Sequence, residues 1–251
     1  MVISAMSLPP LNAFSSSPKR FPVICIDGPS GAGKGTAAWR LAQELGYQLL
    51  DSGALYRIVG LKAFEAGLIS DESHAELDED LLERLTQSLQ ISFKPNNVSN
   101  RVDIVVNGEI VGDQVRNETV GGYASQVAVF PKVRAALLKL QQDMAMRSGL
   151  VADGRDMGTV VFPDAEVKIF LTASAQARAQ RRLTQLERDC QSADFEEILA
   201  TIKARDVRDE TRSTAPSKPA ADALIIDSST LDATEVYTTI KRYCQSKGIC
   251  C

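Results

Sequence analysis

The feature that most constrains the fold is the run Gly28-Pro29-Ser30-Gly31-Ala32-Gly33-Lys34, of the form G-x-x-x-x-G-K. It stands after a short apolar run, Val23-Ile24-Cys25-Ile26, closed by Asp27. It stands before a segment with helical periodicity over about 34–45, with Ala37, Ala38, Leu41, Ala42 and Leu45 on one face and Gly46 at its end. An apolar run without alternation reads as a strand buried on both faces. Between strand and helix, a glycine-rich turn lets backbone N–H groups curl around phosphate oxygens. The positive end of the helix points at the same anion, and the lysine reaches the outer phosphates. Gly28, Pro29, Ser30, Gly31, Ala32, Gly33, Lys34, Gly35 and Thr36 are therefore candidate ligands of ATP, with Lys34 also a candidate catalytic group. Gly35 occupies the place where many such loops put a Mg²⁺-binding serine or threonine. Thr36 follows, and whether its hydroxyl meets Mg²⁺ or a phosphate stays open.

The rest of the chain supplies partners for that first strand. Tyr47–Leu50, 150–153, Val167–Leu171 and Ala223–Ile226 read as further strands. Helices are expected over 53–66, from Pro131, from about 174, over 194–212, and after a capping box at Asp232 and Glu235. The Pro131 helix would bury Val133, Leu137, Leu140 and Met144; the last would bury Val236, Ile240 and Tyr243 or Cys244. The alternation breaks once. Ile91–Phe93, Val102–Val106 and Glu109–Val111, turning at Asn107-Gly108, predict a small antiparallel insert. Five strands alternating with helices predict an α/β protein with a parallel sheet covered on both faces. Residues 1–20, rich in Ser and Pro and free of acidic residues, read as a disordered leader, or alternatively as a targeting segment.

Composition removes several functions. A net charge of −4 argues against nucleic acid or an anionic membrane surface as a partner. One histidine, His74 in a polar run, rules out a multi-histidine metal site and histidine acid–base chemistry. The five cysteines, Cys25, Cys190, Cys244, Cys250 and Cys251, contain no C-x-x-C pair and point to a reduced, cytoplasmic compartment. The Cys250-Cys251 end lacks the pattern of a lipidation signal. No apolar run approaches the ~18 residues of a membrane span.

Charge placement says more than charge sum. Leu150-Val151-Ala152-Asp153 is a second apolar strand ending in an acid, which makes Asp153 a candidate to hold Mg²⁺ through water, facing the loop. Asp27 ends the first strand in the same way and is expected to hydrogen-bond within the loop. Arg205, Arg208, Asp209 and Arg212 share one helix face, which reads either as a solvated ion-pair face or as a cationic clamp on phosphates. Phosphoryl transfer between two anionic ligands needs such a clamp.

Four runs together resemble bacterial cytidylate (CMP/dCMP) kinases: Gly28–Thr36, Asp51-Ser52-Gly53-Ala54-Leu55-Tyr56-Arg57, Ala124-Ser125-Gln126-Val127-Ala128, and Asp153 through Pro163 with its Asp-Gly-Arg-Asp-x-Gly-Thr start. Arg205 to Arg212 fits the same pattern, and the resemblance runs from about Phe21 to Gly248. It implies a nucleoside monophosphate kinase fold with a five-stranded parallel core in the order 2-3-1-4-5. The core would comprise 21–59, 123–177 and 213–248, with a monophosphate-binding insert at about 60–122, a lid and clamp helix at about 178–212, and 249–251 as a tail. It implies ATP-dependent phosphorylation of CMP and dCMP with Mg²⁺, by a monomer. By the same resemblance Ser125, Arg134 and Asp156 read the cytosine edge, and Arg205 and Asp209 meet the pentose. Arg57, Arg155 and Arg212 hold the CMP phosphate, Arg155 and Arg212 as catalytic groups. Ser52 and Gly154 help to position the nucleotide, and Arg178 and Arg181 reach ATP phosphates. Taken alone, Ser52 and Ser125 read equally as helix caps or buried hydroxyls. A kinase with another acceptor stays possible on the same fold. A GTPase switch would need Ser or Thr after Lys34 and an Asn-Lys-x-Asp run, and neither is present. An NTP-using RNA-binding protein would need a basic stripe with interleaved aromatics.

Overall fold

Alternation along β1 (Val23–Asp27), all of it buried, divides the protein into two cores. Val23 and Cys25 point into one, Ile24 and Ile26 into the other. A computed structural model describes residues 21–69, 77–96, 101–112, 115, 117–188, 190, 192–212 and 214–249. The leader, His74 and Cys250-Cys251 lie outside the described residues. Among these, eight strands fall into two sheets. β1, β2 (Gln48–Asp51), β6 (Leu150–Gly154), β7 (Val167–Thr172) and β8 (Leu224–Asp227) form a parallel sheet in the order β2-β6-β1-β7-β8. Counted along this sheet alone, the order is 2-3-1-4-5. β3 (Ile91–Asn96), β4 (Arg101–Val106) and β5 (Glu109–Val111) form the antiparallel insert. Its turn residues Asn107 and Gly108 have φ of 51° and 90°, the left-handed pair that matches strand twist in a tight hairpin.

α1 (Lys34–Leu45) and α8 (Ala233–Ser246) cover one face of the large sheet, burying Leu41, Val236, Ile240 and Cys244. The expected capping box at Asp232 and Glu235 is formed. α2 (Ser52–Glu65), α3 (Glu79–Ser88), α4 (Glu118–Val127) and α5 (Pro131–Ala145) cover the other face together with the insert. α6 (Ala175–Arg188) and α7 (Phe195–Thr211) form a helical hairpin near the carboxyl ends of β1 and β7. A single π-helical turn, Met157–Val161, follows β6.

Two helices were not anticipated. α3 is a short helix opening in an acidic cluster where Asp78 caps it, and it turns Leu82 and Thr86 inward with Leu85 packed beside them. α4 contains Gly121-Gly122, a pair of weak helix formers. Asn117 caps it, and it crosses α2 so closely that a Cβ on Gly60 would fall 2.7 Å from the backbone N of Ala124. The second strand ends one residue later than expected, because Asp51 both closes it and caps α2 by accepting the Ala54 N–H at 3.0 Å.

Candidate functional site

A cleft of about 790 Å³ opens at the carboxyl ends of β1, β2 and β6 and is walled by the α6–α7 hairpin. That edge is where open α/β sheets present loops to ligands. Register brings Asp27 opposite Gly154 and Asp51 opposite Asp153, so three strand ends meet there.

One end of the cleft is the phosphate loop. Ser30, Gly31, Gly33, Gly35 and Thr36 line it. Gly33, with φ of 98°, turns the chain into α1. Pro29 and buried Ala32 lie behind that lining, and Gly28 packs on the backbone of Leu171. The Lys34 Nζ donates to the Pro29 carbonyl at 3.1 Å and stands 3.5 Å from Asp153 Oδ1. Burial pushes the Lys34 ammonium down to about 8; Asp153 opposes this and Arg155 adds to it. Burial likewise raises Asp153 above the usual carboxylate range, with Lys34 opposing. Both charges are thus poorly solvated where a polyanion would seat. Thr36 and Asp153 both border this space. One carboxylate plus one hydroxyl fits Mg²⁺ that keeps its waters and takes its remaining ligands from phosphates. No cluster of three or more His, Cys, Asp or Glu that could cage a metal occurs among the described residues.

Asp27 departs from expectation. It bonds across to the turn after β6 rather than within its own loop, accepting the N–H of Met157 and that of Gly158, each at 2.8 Å. The reason is register: Asp27 lies level with Gly154, so its carboxylate meets the turn that follows. Burial pushes it up to about 6, against the pull of those two bonds.

The other end of the cleft is built from charged side chains. Arg134 of α5 pairs with Asp156 at 2.7 Å, both nearly buried, with the guanidinium 5.7 Å from the Tyr56 ring centre. Arg155 pairs with Asp209 of α7 at 2.9 Å. Burial would raise Asp209, but Arg155, with Arg212 and Arg205, holds it below the usual carboxylate range. Arg212 directs Nε at the Asp209 carbonyl at 3.4 Å, while its Nη2 is buried with no hydrogen-bond partner. Arg205 and Gly154 line the same space. Arg57 also borders the cleft, with Nη1 donating to the carbonyls of Val115 at 3.1 Å and Asn117 at 2.6 Å. Ser52 is buried as the first residue of α2, and the Ser125 hydroxyl donates back to the Gly121 carbonyl at 3.0 Å. Neither serine caps its helix; Asp51 and Asn117 do.

The hairpin arginines are more committed than their pattern suggests. Arg178, 4% exposed, spends Nε on the Ala173 carbonyl. Its Nη1 goes to the Ser30 carbonyl and Asp206, and its Nη2 to the second Asp206 oxygen. A guanidinium has five N–H groups, so almost all of this one is used in pinning the hairpin to the phosphate loop. Arg181 donates to the hydroxyl and carbonyl of Ser228, whose hydroxyl in turn meets the Ala32 carbonyl at 3.0 Å. Arg182 and Arg208 line the cleft; Arg182 was not expected there, and Arg208 was named only as part of the possible clamp face. The signal for them was present: Arg182 falls one helical turn after Arg178, and Arg208 shares the face of Arg205 and Arg212. Tyr56, which burial pushes up to about 12, was missed because nothing in its spacing marks it as the floor under Arg134.

A phosphate loop and a ring of arginines facing each other across one cleft, on a 2-3-1-4-5 parallel sheet with an insert and a helical hairpin, define a phosphate-loop kinase of small phosphorylated molecules. The sequence model of cytidylate kinase matches residues 24–246. The cytidylate kinase of Pasteurella multocida is 51% identical over 224 residues, 89% of this chain and 95% of that protein. That of Haemophilus ducreyi is 52% identical over 214 residues, 85% of this chain and 92% of its own. Cytidylate kinase 1 of Haemophilus influenzae is 51% identical over 227 residues, 90% and 95% respectively. This chain belongs to the cytidylate kinase family of phosphotransferases. No described helix is long and apolar enough to cross a membrane.

Proposed function

We propose that this chain transfers the terminal phosphoryl group of ATP to CMP and dCMP, giving ADP and CDP or dCDP, as a cytoplasmic monomer with no nucleic-acid or membrane partner. The observation that carries this is the single cleft with Lys34 at one end and the Arg134–Asp156 pair, flanked by Arg155 and Arg212, at the other. Cytosine presents an amino donor at C4 beside the N3 and O2 acceptors. A carboxylate next to a guanidinium offers the complement, with Ser125 beside them. Arg205 and Asp209 are assigned to the pentose, Arg57, Arg155 and Arg212 to the CMP phosphate, and Ser52 and Gly154 to the position of the nucleotide. The loop N–H groups and Lys34 hold the ATP phosphates.

The acceptor phosphate is already ionised, so no protein base is needed. Catalysis is positioning and charge stabilisation. The incoming phosphate dianion competes with Asp209 for Arg155; the displaced carboxylate is then free to accept from pentose hydroxyls. The buried, unpartnered Nη2 of Arg212 supplies a further donor for the same anion. Mg²⁺, when bound with ATP, neutralises charge on the outer phosphates, and Asp153 through water, with Thr36, would hold it. Closure of the α6–α7 hairpin over the cleft keeps water from the phosphoryl group. The test is the rate of ADP release with ATP and each of CMP, dCMP, UMP and AMP. CMP and dCMP are expected to be turned over fastest; AMP turned over as fast as CMP would reject the base assignment.

A further inference from the structure

Asp27 is a buried carboxylate that the phosphate chemistry leaves unexplained. It precedes the phosphate loop by one residue, yet its oxygens serve another segment, the backbone N–H groups of Met157 and Gly158. These open the π-helical turn Met157–Val161. The first N–H groups of a helical turn have no acceptor within it and are normally served by the side chain at the cap position. Here that position is Asp156, and its side chain makes no capping bond. Asp27 caps the turn from a different strand, and the Asp156 carboxylate is left to pair with Arg134 across the cleft. Asp27 itself cannot drift. Gly28 follows at φ of 139°, and a Cβ there would fall 2.0 Å from the Leu171 carbonyl oxygen.

We infer that Asp27 is a positioning residue for the acceptor nucleotide: by capping the Met157–Val161 turn in trans it keeps Asp156 and Arg155 aimed into the cleft and fastens the acceptor side to the strand that carries the donor loop. The inference rests on the assignment of Arg155 and Asp156 to CMP. Its consequence runs against sequence position, because a residue beside the ATP loop then governs the binding of CMP.

Asp27→Asn keeps the shape but sets an NH₂ group against a backbone N–H, where nothing accepts. In ligand-free protein, hydrogen exchange is expected to show lost protection at whichever of Met157 and Gly158 faces the new NH₂, with the amides of Gly31–Lys34 unchanged. CMP Kd is expected to rise roughly tenfold or more, as for a displaced positioning group, while ATP Kd changes little. Unchanged protection at Met157 and Gly158, or equal weakening of both nucleotides, would overturn the inference. Should Asp27→Asn not fold, Asp27→Glu, which keeps the charge but displaces both acceptor oxygens by a methylene, carries the same two readouts. Failure of the wild-type chain to bind CMP would count against the proposed function. The exchange result, obtained without nucleotide, decides the role of Asp27 either way.

Discussion

The two ends of the cleft are made in different ways. The donor end is backbone: one contiguous loop, turned by glycines and anchored by Lys34, with Arg178 and Asp206 pinning the hairpin to it. The acceptor end is side chain: α2, α4, α5, the turn after β6 and α7 all contribute groups, and Arg134 and Arg155 sit in ion pairs with Asp156 and Asp209. A backbone cradle binds phosphate of any nucleotide and needs little rearrangement. A paired cluster must exchange partners, and so can discriminate. Under the proposed function, the phosphate of the correct nucleotide would take the place of Asp209 on Arg155, and a ligand unable to do so would leave the pair closed.

Variants at the two ends should therefore fail differently. Lys34→Ala removes the one side-chain cation of the donor loop and is expected to lower kcat on the order of a thousandfold, with the cooperative thermal transition retained; near-normal CDP formation would erase the distinction. Arg155→Ala should cost on the order of a hundredfold in kcat/KM, with KM for CMP raised and KM for ATP nearly unchanged. Asp206→Asn tests the pin between the ends. It leaves Arg178 buried without its counter-charge, so a loss of about 2–4 kcal/mol in denaturant stability is expected, rather than a selective rise in KM for ATP. The smallest effect is a pH dependence. Lys34 in the free protein titrates at about 8, charged below and neutral above. ATP affinity should fall as pH rises through 8, and ATP binding there should take up a proton measurable in weakly buffered solution. CMP affinity should not follow that curve.

How much of this was legible follows the same division. The loop, its strand and its helix are local, so spacing alone predicts them, as it does the Asn107-Gly108 hairpin and the Asp232–Glu235 cap. Apart from the Arg205–Arg212 face, the acceptor end was legible only through resemblance, because groups as far apart as Ser52 and Arg212 carry no joint periodicity. Asp27 was seen but given the wrong partner, since only strand register reveals that it lies level with Gly154. Arg178 and Arg181 carry the residue type of a phosphate ligand, yet their partners, Asp206, Ser30 and Ser228, come from elements that no local pattern connects. The π-helical turn was invisible because its cap is in another strand.

The most direct measurement follows the phosphoryl group itself. Incubated with γ-³²P-labelled ATP, Mg²⁺ and CMP, the protein should move the label into CDP, with little released as inorganic phosphate. Label that appears in phosphate instead, or that leaves ATP no faster with CMP than without it, would contradict transfer between the two ends of this cleft.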